Sequence, residues 1–215
     1  MEISLNQLSK RYNKEWIFKD LNYHFRAGNT YAITGSNGSG KSTLLQIISA
    51  YYLPSAGSIT YTVKKESISA DAIYQHIAIA TPYMELIEDF TLKEHLEFHF
   101  RFRSLRSGYS LKQIMENCGL EKSAHKQIKN FSSGMKQRVK LALSFYTDCK
   151  LVLLDEPTSN LDQQGVDWYQ ERVKELIATR TTLIIASNQS FEYEAYANGL
   201  INIQDYKPVV TSRSK

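Results

Sequence analysis

The sequence has 215 residues, of which 42% are hydrophobic and 22% are charged, a composition typical of one ordinary folded domain. The net charge of +4 comes without a long basic run, so we expect no nucleic-acid partner. Two cysteines, Cys118 and Cys149, are too few for a disulfide framework or a cysteine-based zinc site, and we expect buried thiols. The N-terminal stretch lacks the pattern of a signal peptide, and no apolar run is long enough to predict a membrane span.

The first third of the chain predicts mainly β-structure. Ile3 and Leu5 alternate with polar neighbours, and "LNYHFRAGNTYAIT" contains two extended runs around an Ala-Gly turn. The second run, 30–34, leads into a glycine-rich loop. A helix is predicted next, because apolar residues recur at helical spacing: Leu44, Leu45, Ile47, Ile48 and Tyr51. Two more strands are predicted over 58–63 and 77–81.

The middle of the chain, from about 91 to 148, has a helical pattern. Thr91 is a candidate N-cap for a helix whose apolar residues recur every four positions: Leu92, Leu96 and Phe100. Ser110 and Gly119 bracket a second helix with an apolar stripe: Leu111, Ile114, Met115 and Cys118. A third helix is predicted to begin near Ser133.

An α/β pattern returns after these helices. "LVLLD" (151–155) and "TLIIAS" (182–187) are continuous apolar runs, typical of parallel strands buried on both faces. A helical stripe separates them: Val166, Tyr169, Val173, Leu176 and Ile177. "LINI" and "PVVT" predict edge or terminal strands. We expect one domain, 1–215, with a core of about 1–84 and 150–205 and a helical subdomain of about 85–149.

The stretch "GSNGSGKS" (35–42) has the spacing G-x-x-x-x-G-K-[ST] of a phosphate-binding P-loop, between a predicted strand and a predicted helix. Glycines let backbone N–H groups converge on phosphate oxygens, and the helix N-terminus adds positive potential. Lys41 can place a charge at the β and γ phosphates, and Ser42 can offer its hydroxyl to Mg²⁺. The predicted nucleotide-binding residues are Gly35, Ser36, Asn37, Gly38, Ser39, Gly40, Lys41, Ser42 and Thr43. The alternative is a glycine-rich loop without a ligand.

Two further motifs follow in order, "FSSGMKQR" (131–138) and "LVLLDEPTSNLD" (151–162). With the P-loop, they make the chain resemble the ATP-binding subunit of an ABC transporter, of the compact single-domain type, from about residue 2 to 205. The resemblance implies an α/β P-loop NTPase fold with a mostly parallel central sheet. It also implies an N-terminal antiparallel β part and an inserted helical subdomain.

The resemblance assigns roles to the acidic residues after "LVLL". Asp155 matches the carboxylate that enters the Mg²⁺ shell together with Ser42, and Glu156 matches the general base that polarises the attacking water. One carboxylate is then neutralised by the metal while its neighbour stays free to accept a proton. Asp162 matches the residue that helps to join two subunits. The alternative for adjacent acids at a strand end is a solvated turn.

Ser132 and Gly134, with Ser133 between them, align with the signature motif, in which Ser132 and Gly134 match; the resemblance implies that this segment contacts the γ-phosphate held by the opposite subunit, and a helix N-terminus suits that role. Ser133 and Met135 differ from the usual L-S-G-G-Q, and a plain capped helix start is the alternative. Tyr12 falls where the family places an aromatic ring that stacks on adenine. Packing in the core or on the surface is its alternative.

Two positions depart from the family pattern. The glutamine usually found after the strand near residue 80 is replaced by Thr81 or Pro82, and Gln75 lies upstream, before the predicted strand. Asn188 stands where the family has a histidine that contacts the γ-phosphate. An amide can donate and accept hydrogen bonds but cannot carry a proton charge. The predicted catalytic residues are Glu156, Lys41 and Asn188. Because the glutamine and the histidine of the family pattern are missing, we expect slow turnover of ATP.

The resemblance implies an ATP-hydrolysing motor that dimerises around two ATP, with Mg²⁺, and drives a separate transmembrane permease subunit. A homodimer is expected, placed in the cytoplasm at the inner face of the membrane. The acids of "YMELIEDF", Glu85, Glu88 and Asp89, could meet a basic segment of that permease, or form a solvated face. A regulatory module that binds ATP with little hydrolysis is the alternative function. A DNA-repair or ribosome-associated ABC protein is a third.

Overall fold

The computed structural model describes residues 1–208, so the predicted strand "PVVT" lies outside the described residues apart from Pro208. The strands are β1 (Glu2–Tyr12), β2 (Glu15–Phe25), β3 (Thr30–Thr34), β4 (Ala56–Val63), β5 (Glu66–Ile68), β6 (Ile77–Ala80), β7 (Leu151–Asp155), β8 (Thr182–Ala186) and β9 (Gly199–Asn202). The α-helices are α1 (Lys41–Ile48), α2 (Leu92–Phe102), α3 (Leu111–Asn117), α4 (Ser133–Tyr146) and α5 (Gln163–Ala178). Short 3₁₀ turns lie at Ala70–Gln75, Glu121–Ser123, Ile128–Asn130, Ser190–Glu192 and Ile203–Tyr206.

The central sheet has the order β6-β7-β8-β3-β9, and all of its neighbouring strands run parallel. β7 shows why these strands are apolar throughout. Val152 and Leu154 pack on one side against the helices α2 to α5, while Leu151 and Leu153 enter a second core on the other side. Both faces of the strand are therefore buried, as the continuous apolar run predicted.

The second core lies between the central sheet and an antiparallel sheet of order β2-β1-β4-β5. α1 fills the space between the two sheets with Leu44, Leu45, Ile47 and Ile48, which are at most 1% exposed. The Tyr61 hydroxyl on β4 donates to the Ile48 carbonyl at 3.0 Å, which satisfies a carbonyl at the end of the helix. The fold is thus an α/β P-loop NTPase architecture with an antiparallel β part, as predicted.

The helices α2, α3 and α4 lie between β6 and β7 in the chain. Thr91 and Ser110 are the N-caps of α2 and α3, and each begins a capping box. The Glu94 and Gln113 side chains accept hydrogen bonds from the backbone N–H groups of these caps. The predicted N-caps are confirmed. The boundaries of a helical subdomain at residues 85 and 149 stay a prediction.

The prediction that Tyr51 belongs to the apolar stripe of α1 is wrong. The helix ends at Ile48, and Tyr51 is 73% exposed. Ala50 adopts a left-handed φ of 59°, which turns the chain away from the helix axis before Tyr51 can join the stripe.

Both cysteines are buried and unpaired, as expected. Among residues 1–208, no helix is long and apolar enough to cross a membrane.

Candidate functional site

Several of the predicted site residues meet at one edge of the parallel sheet. The glycine-rich loop follows β3, Asp155 ends β7, and Ser187 follows β8. Since the carboxyl ends of parallel strands share an edge, long-range pairing brings these segments together. Thr81, which follows β6, lies at the same edge. Gln75 lies in a 3₁₀ turn before β6, so it does not occupy the position after that strand.

The P-loop conformation requires glycine at its last position before α1. Gly40 caps the helix with φ 111°, in the left-handed region, and a Cβ there would lie 2.5 Å from the Ile17 Cγ2 atom. Gly40 therefore combines an unusual backbone with close contact to β2. The free N–H groups of the first turn of α1 follow directly, which makes the loop suited to an anion.

Lys41 turns its ammonium group back into this loop. Its Nζ atom donates to the Gly35 carbonyl at 3.0 Å and to the Ser36 carbonyl at 3.4 Å. The same atom lies 3.3 Å from Oε1 of Glu156. Lys41 is only 5% exposed, so its charge is stabilised by these oxygens rather than by water. Phosphate oxygens could replace them without moving the lysine far.

Asp155 offers a metal ligand at the end of β7. It is 2% exposed, and its Oδ1 atom has no hydrogen-bonding partner within residues 1–208. Burial raises the pKa of Asp155, and a hydrogen bond with the Ser42 side chain opposes this effect. A buried carboxylate oxygen beside a hydroxyl is a donor set that fits Mg²⁺, which prefers hard oxygen ligands.

Glu156 follows directly and has a left-handed φ of 45°. This conformation costs a non-glycine residue about 1–2 kcal/mol, so surrounding contacts must hold it. The Glu156 N–H donates to the Ala186 carbonyl at 2.9 Å, and the buried Gln137 donates to the Pro157 carbonyl at 2.8 Å. The Glu156 side chain stays partly exposed beside Lys41.

Asn188 reaches the P-loop from the end of β8. Its Nδ2 atom donates to the Oδ1 atom of Asn37 at 2.9 Å, although 151 positions separate the two residues in the chain. Gln204, after β9, also contacts this loop, because its Nε2 atom donates to the Ser36 hydroxyl at 2.8 Å. The structure thus brings the amide of Asn188 into contact with the glycine-rich loop.

The signature segment and Asp162 form a separate groove of about 510 Å³, here called the signature groove, lined by parts of 132–135 and 160–162. Ser132 caps α4 by accepting from the Met135 N–H at 3.2 Å, and Ser133 is the first helical residue, outside the left-handed region. A Cβ at Gly134 would lie 2.9 Å from the Asn160 carbonyl oxygen, so this position needs glycine.

The Asp162 side chain already accepts hydrogen bonds within its own chain. Its Oδ1 atom accepts from the Gly165 N–H at 2.8 Å, which caps α5, and from Arg138 at 3.0 Å. Across residues 1–208, no hydrogen bond or ion pair joins the signature groove to loop 35–42. A role of Asp162 in joining subunits stays a prediction.

Tyr12 ends β1 and is 45% exposed. The Lys10 ammonium lies 5.1 Å from its ring centroid, so one contact of the ring is a cation–π interaction on the surface. The exposed ring is available for stacking on a base, and surface packing remains its alternative.

Sequence reasoning missed two buried polar residues that hold the loop after Glu156. Gln137 lies on α4, and Glu192 accepts hydrogen bonds from the N–H and the hydroxyl of Thr158. Neither carries a motif, because a single polar residue in a helix or a turn predicts a solvated side chain. Only the long-range packing of the loop against α4 and the turn after β8 reveals them.

Comparisons with known proteins agree with this geometry. A family model described as ABC transporter matches residues 18–159. The chain is 28% identical over 210 residues to the Nod factor export ATP-binding protein I of Burkholderia pseudomallei (strain 1710b), covering 96% of this chain and 69% of that protein. It is 31% identical over 198 residues to the linearmycin resistance ATP-binding protein LnrL of Bacillus subtilis (strain 168), covering 89% of this chain and 63% of that protein.

Solved structures show the same fold. The ATP-binding subunit of an ABC transporter superposes with a TM-score of 0.80 at 23% identity, over 94% of this chain and 87% of that chain. A dimeric ATP-binding cassette in a post-hydrolysis state, bound to ADP and Pi, gives a TM-score of 0.78 at 22% identity, over 94% of both chains. With the P-loop, the buried Asp155 and the adjacent Glu156 in place, the family model, which covers most of the chain, shows that this chain belongs to the ABC transporter family as an ATP-binding cassette.

Proposed function

We propose that this protein is an ATP-hydrolysing motor subunit of an ABC transporter. The observation that carries the proposal is the pairing at the end of β7. Asp155 is buried beside Ser42 with a free oxygen, while Glu156 is partly exposed and lies 3.3 Å from the P-loop lysine. A metal-binding carboxylate next to an available carboxylate is what water-dependent phosphoryl transfer needs.

Different residues would bind the phosphates, hold the metal and accept the proton. The N–H groups of loop 35–42 and the Lys41 ammonium would bind the phosphates of ATP. Asp155 and Ser42 would hold Mg²⁺, which supplies charge neutralisation at the phosphate oxygens when bound. Once Lys41 turns to the phosphates, Glu156 loses its ion pair and can accept a proton from the attacking water. Asn188 would hydrogen-bond the γ-phosphate through its amide.

We propose that two copies of the chain close around two ATP. The signature groove lies at the N-terminus of α4, where free backbone N–H groups favour an anion, yet among the described residues 1–208 no hydrogen bond or ion pair links it to the P-loop. A second copy can bring its γ-phosphate to this groove. Ser132, Ser133 and Gly134 would then contact ATP held by the partner.

A transmembrane permease is the proposed membrane partner, which would place the subunit in the cytoplasm at the inner face of the membrane. A groove of about 590 Å³ beside Thr81 is lined by three exposed tyrosines: Tyr51, Tyr74 and Tyr83. Aromatic side chains of this kind are enriched where proteins dock. The relatives named for Nod factor export and linearmycin resistance support a role in transport.

The acidic face is a weaker candidate for that docking. Glu88 lies 2.5 Å from Lys136, and Asp89 lies 3.1 Å from Lys129. Lysines of the same chain therefore already neutralise two of the three acids, and Glu85 alone offers little attraction for a basic segment. A charge-reversed triple variant that still co-purifies with the permease as well as the wild type would argue against acidic docking.

A regulatory module with little hydrolysis is the second candidate function. Asn188 and Pro82 favour it, because an amide cannot shuttle a proton and proline has no backbone donor at the position after β6.

Turnover distinguishes the two functions. Replacing Glu156 by glutamine (Glu156→Gln) removes the base but keeps the shape, so we expect ATP to bind with hydrolysis reduced by roughly 10²-fold or more. The exposed Glu194→Gln is the matched control and should hydrolyse ATP at the wild-type rate. Steady-state phosphate release and ATP binding are measured on all three proteins. Equal inactivity of the wild type and Glu156→Gln, with ATP bound to both, would favour the regulatory module.

A further inference from the structure

The 3₁₀ turn after β8 contacts the loop that carries Glu156. Glu192, in the 3₁₀ turn Ser190–Glu192, is 1% exposed. Its Oε1 atom accepts from the Thr158 N–H at 2.9 Å and from the Thr158 hydroxyl. Its backbone carbonyl accepts from the Tyr169 hydroxyl of α5 at 3.0 Å. Three separate segments of the chain therefore meet at this one residue.

A carboxylate this deeply buried normally has a cationic partner. In the part of the chain that the structure describes, no lysine, arginine or histidine pairs with Glu192. Burial raises the pKa of Glu192, and hydrogen bonds from Thr158 oppose that effect. The hydrogen bonds of Glu192 thus join it to the loop after β7 through Thr158 and to α5 through Tyr169.

Those contacts lie next to the proposed catalytic groups. Thr158 is two positions after Glu156, whose left-handed backbone has to be held by its surroundings. The Glu192 N–H donates to the Gln189 carbonyl at 3.2 Å, and Gln189 directly follows Asn188, which contacts Asn37 of the P-loop. Glu192 therefore joins the loop of the proposed base to the strand end of the proposed γ-phosphate contact.

We infer that Glu192 is a positioning residue that fixes the Glu156 loop relative to Asn188, so that both groups face the same phosphate. The inference rests on the proposed ATP hydrolysis. Glu192 does not touch the proposed nucleotide site itself, and it acts through Thr158 and the turn that follows Asn188. Its loss should therefore change the rate of the chemical step more than the binding of ATP.

The experiment compares Glu192→Ala, Glu192→Gln and Thr158→Val with the exposed control Glu194→Ala. The kcat, the KM for ATP, ATP affinity and the thermal midpoint are measured for each, with kcat expressed per folded molecule. We expect Glu192→Ala to lower kcat by roughly 10- to 100-fold with KM changed less than about threefold, since small misplacements of catalytic groups cost this much. Glu192→Gln keeps an acceptor oxygen for Thr158 and should recover most of the rate. Thr158→Val should lower kcat several-fold, and Glu194→Ala should leave it unchanged.

A purely structural role gives a different result. Glu192→Ala and Thr158→Val would then lower the thermal midpoint while kcat per folded molecule equals that of the wild type, which overturns the inference alone. If Glu192→Ala does not fold, a wild-type kcat in Thr158→Val overturns the inference by itself, because that variant removes the Thr158 hydroxyl that donates to Glu192. A wild-type protein that binds ATP without hydrolysing it instead contradicts the proposed function, and the inference with it.

Discussion

Asn188 and Asn37 are linked by a hydrogen bond of 2.9 Å between two side-chain amides. A neutral amide keeps one donor and one acceptor for the γ-phosphate, but it cannot take up a proton as an imidazole can. The contact with Asn37 shows that residue 188 reaches the P-loop despite the substitution. The proposed γ-phosphate contact through Asn188 would therefore keep a hydrogen bond but have no acid–base capacity.

Restoring the histidine tests this difference. In Asn188→His, we expect kcat for ATP hydrolysis to rise roughly tenfold, a modest share of what a positioned acid–base group can contribute. Asn188→Ala is the control that removes the hydrogen bond altogether and should lower kcat below that of the wild type. Nucleotide affinity is measured alongside. An unchanged kcat in Asn188→His, with ATP binding intact, would show that the amide does not limit turnover.

The residues that the sequence identified share one property. Lys41, Ser42, Asp155 and Glu156 belong to short motifs whose spacing is set by a single strand, loop or helix. Glu192 has no such local context, since its partner Thr158 lies 34 positions earlier. Its importance depends on burial, and burial of one glutamate within a polar turn cannot be predicted from its neighbours.

At the scale of elements, α2 carries a buried imidazole, His95, and a half-buried one, His99. Burial lowers the pKa of His99 to about 4, with a smaller contribution from Arg103, and burial also lowers the pKa of His95. The Thr147 hydroxyl donates to the Leu143 carbonyl at 2.6 Å, so it accepts from the Nε2–H of His99 at 3.0 Å. The neutral imidazole is therefore the form that the folded protein holds.

This arrangement predicts a loss of stability in acid. In the unfolded chain the pKa of His99 is about 6.5, and in the folded protein it is about 4. Stability should therefore fall as the pH decreases from about 6.5 towards 4, by at most about 1.4 kcal/mol per pH unit for this residue. His99→Gln should flatten that dependence in urea denaturation between pH 7.5 and 5. The exposed His24→Gln is the control, and equal slopes in both variants would contradict the prediction.

The elements themselves followed from periodicity where the pattern was strong. The buried strands β7 and β8 and the N-caps at Thr91 and Ser110 were predicted correctly, because apolar runs and capping residues act locally. The prediction for Tyr51 is wrong, because the helix ends at a left-handed turn at Ala50, and the spacing of apolar residues does not reveal such a turn.

At the scale of the whole molecule, the P-loop and the signature groove are separate surfaces. Each presents the N-terminus of a helix, α1 or α4, which favours an anion. Within residues 1–208, no hydrogen bond or ion pair joins the two surfaces. This division favours an assembly of two copies, with each ATP held between the P-loop of one and the signature groove of the other.

ATP should therefore control the oligomeric state. We expect Glu156→Gln to sediment as a dimer with ATP and Mg²⁺, because the closed pair is not released by hydrolysis, and as a monomer with ADP. Adding Ser133→Glu should abolish this dimer, since a carboxylate would face the γ-phosphate while still suiting a helix N-terminus. Lys112→Glu, in the first turn of α3, is the control and should leave it intact. A monomer with ATP in the unmodified Glu156→Gln protein would contradict the two-copy assembly.

The P-loop, the paired carboxylates and the class of fold could be predicted from the sequence. Those features depend on short-range order, in which one strand, one loop and one helix place a few residues at set spacings. Tertiary structure alone decided which distant residues meet: Asn188 with Asn37, Gln204 with Ser36, and Glu192 with Thr158. The order of strands in the parallel sheet brings these pairs to one edge. That order follows from long-range packing, which no local pattern records.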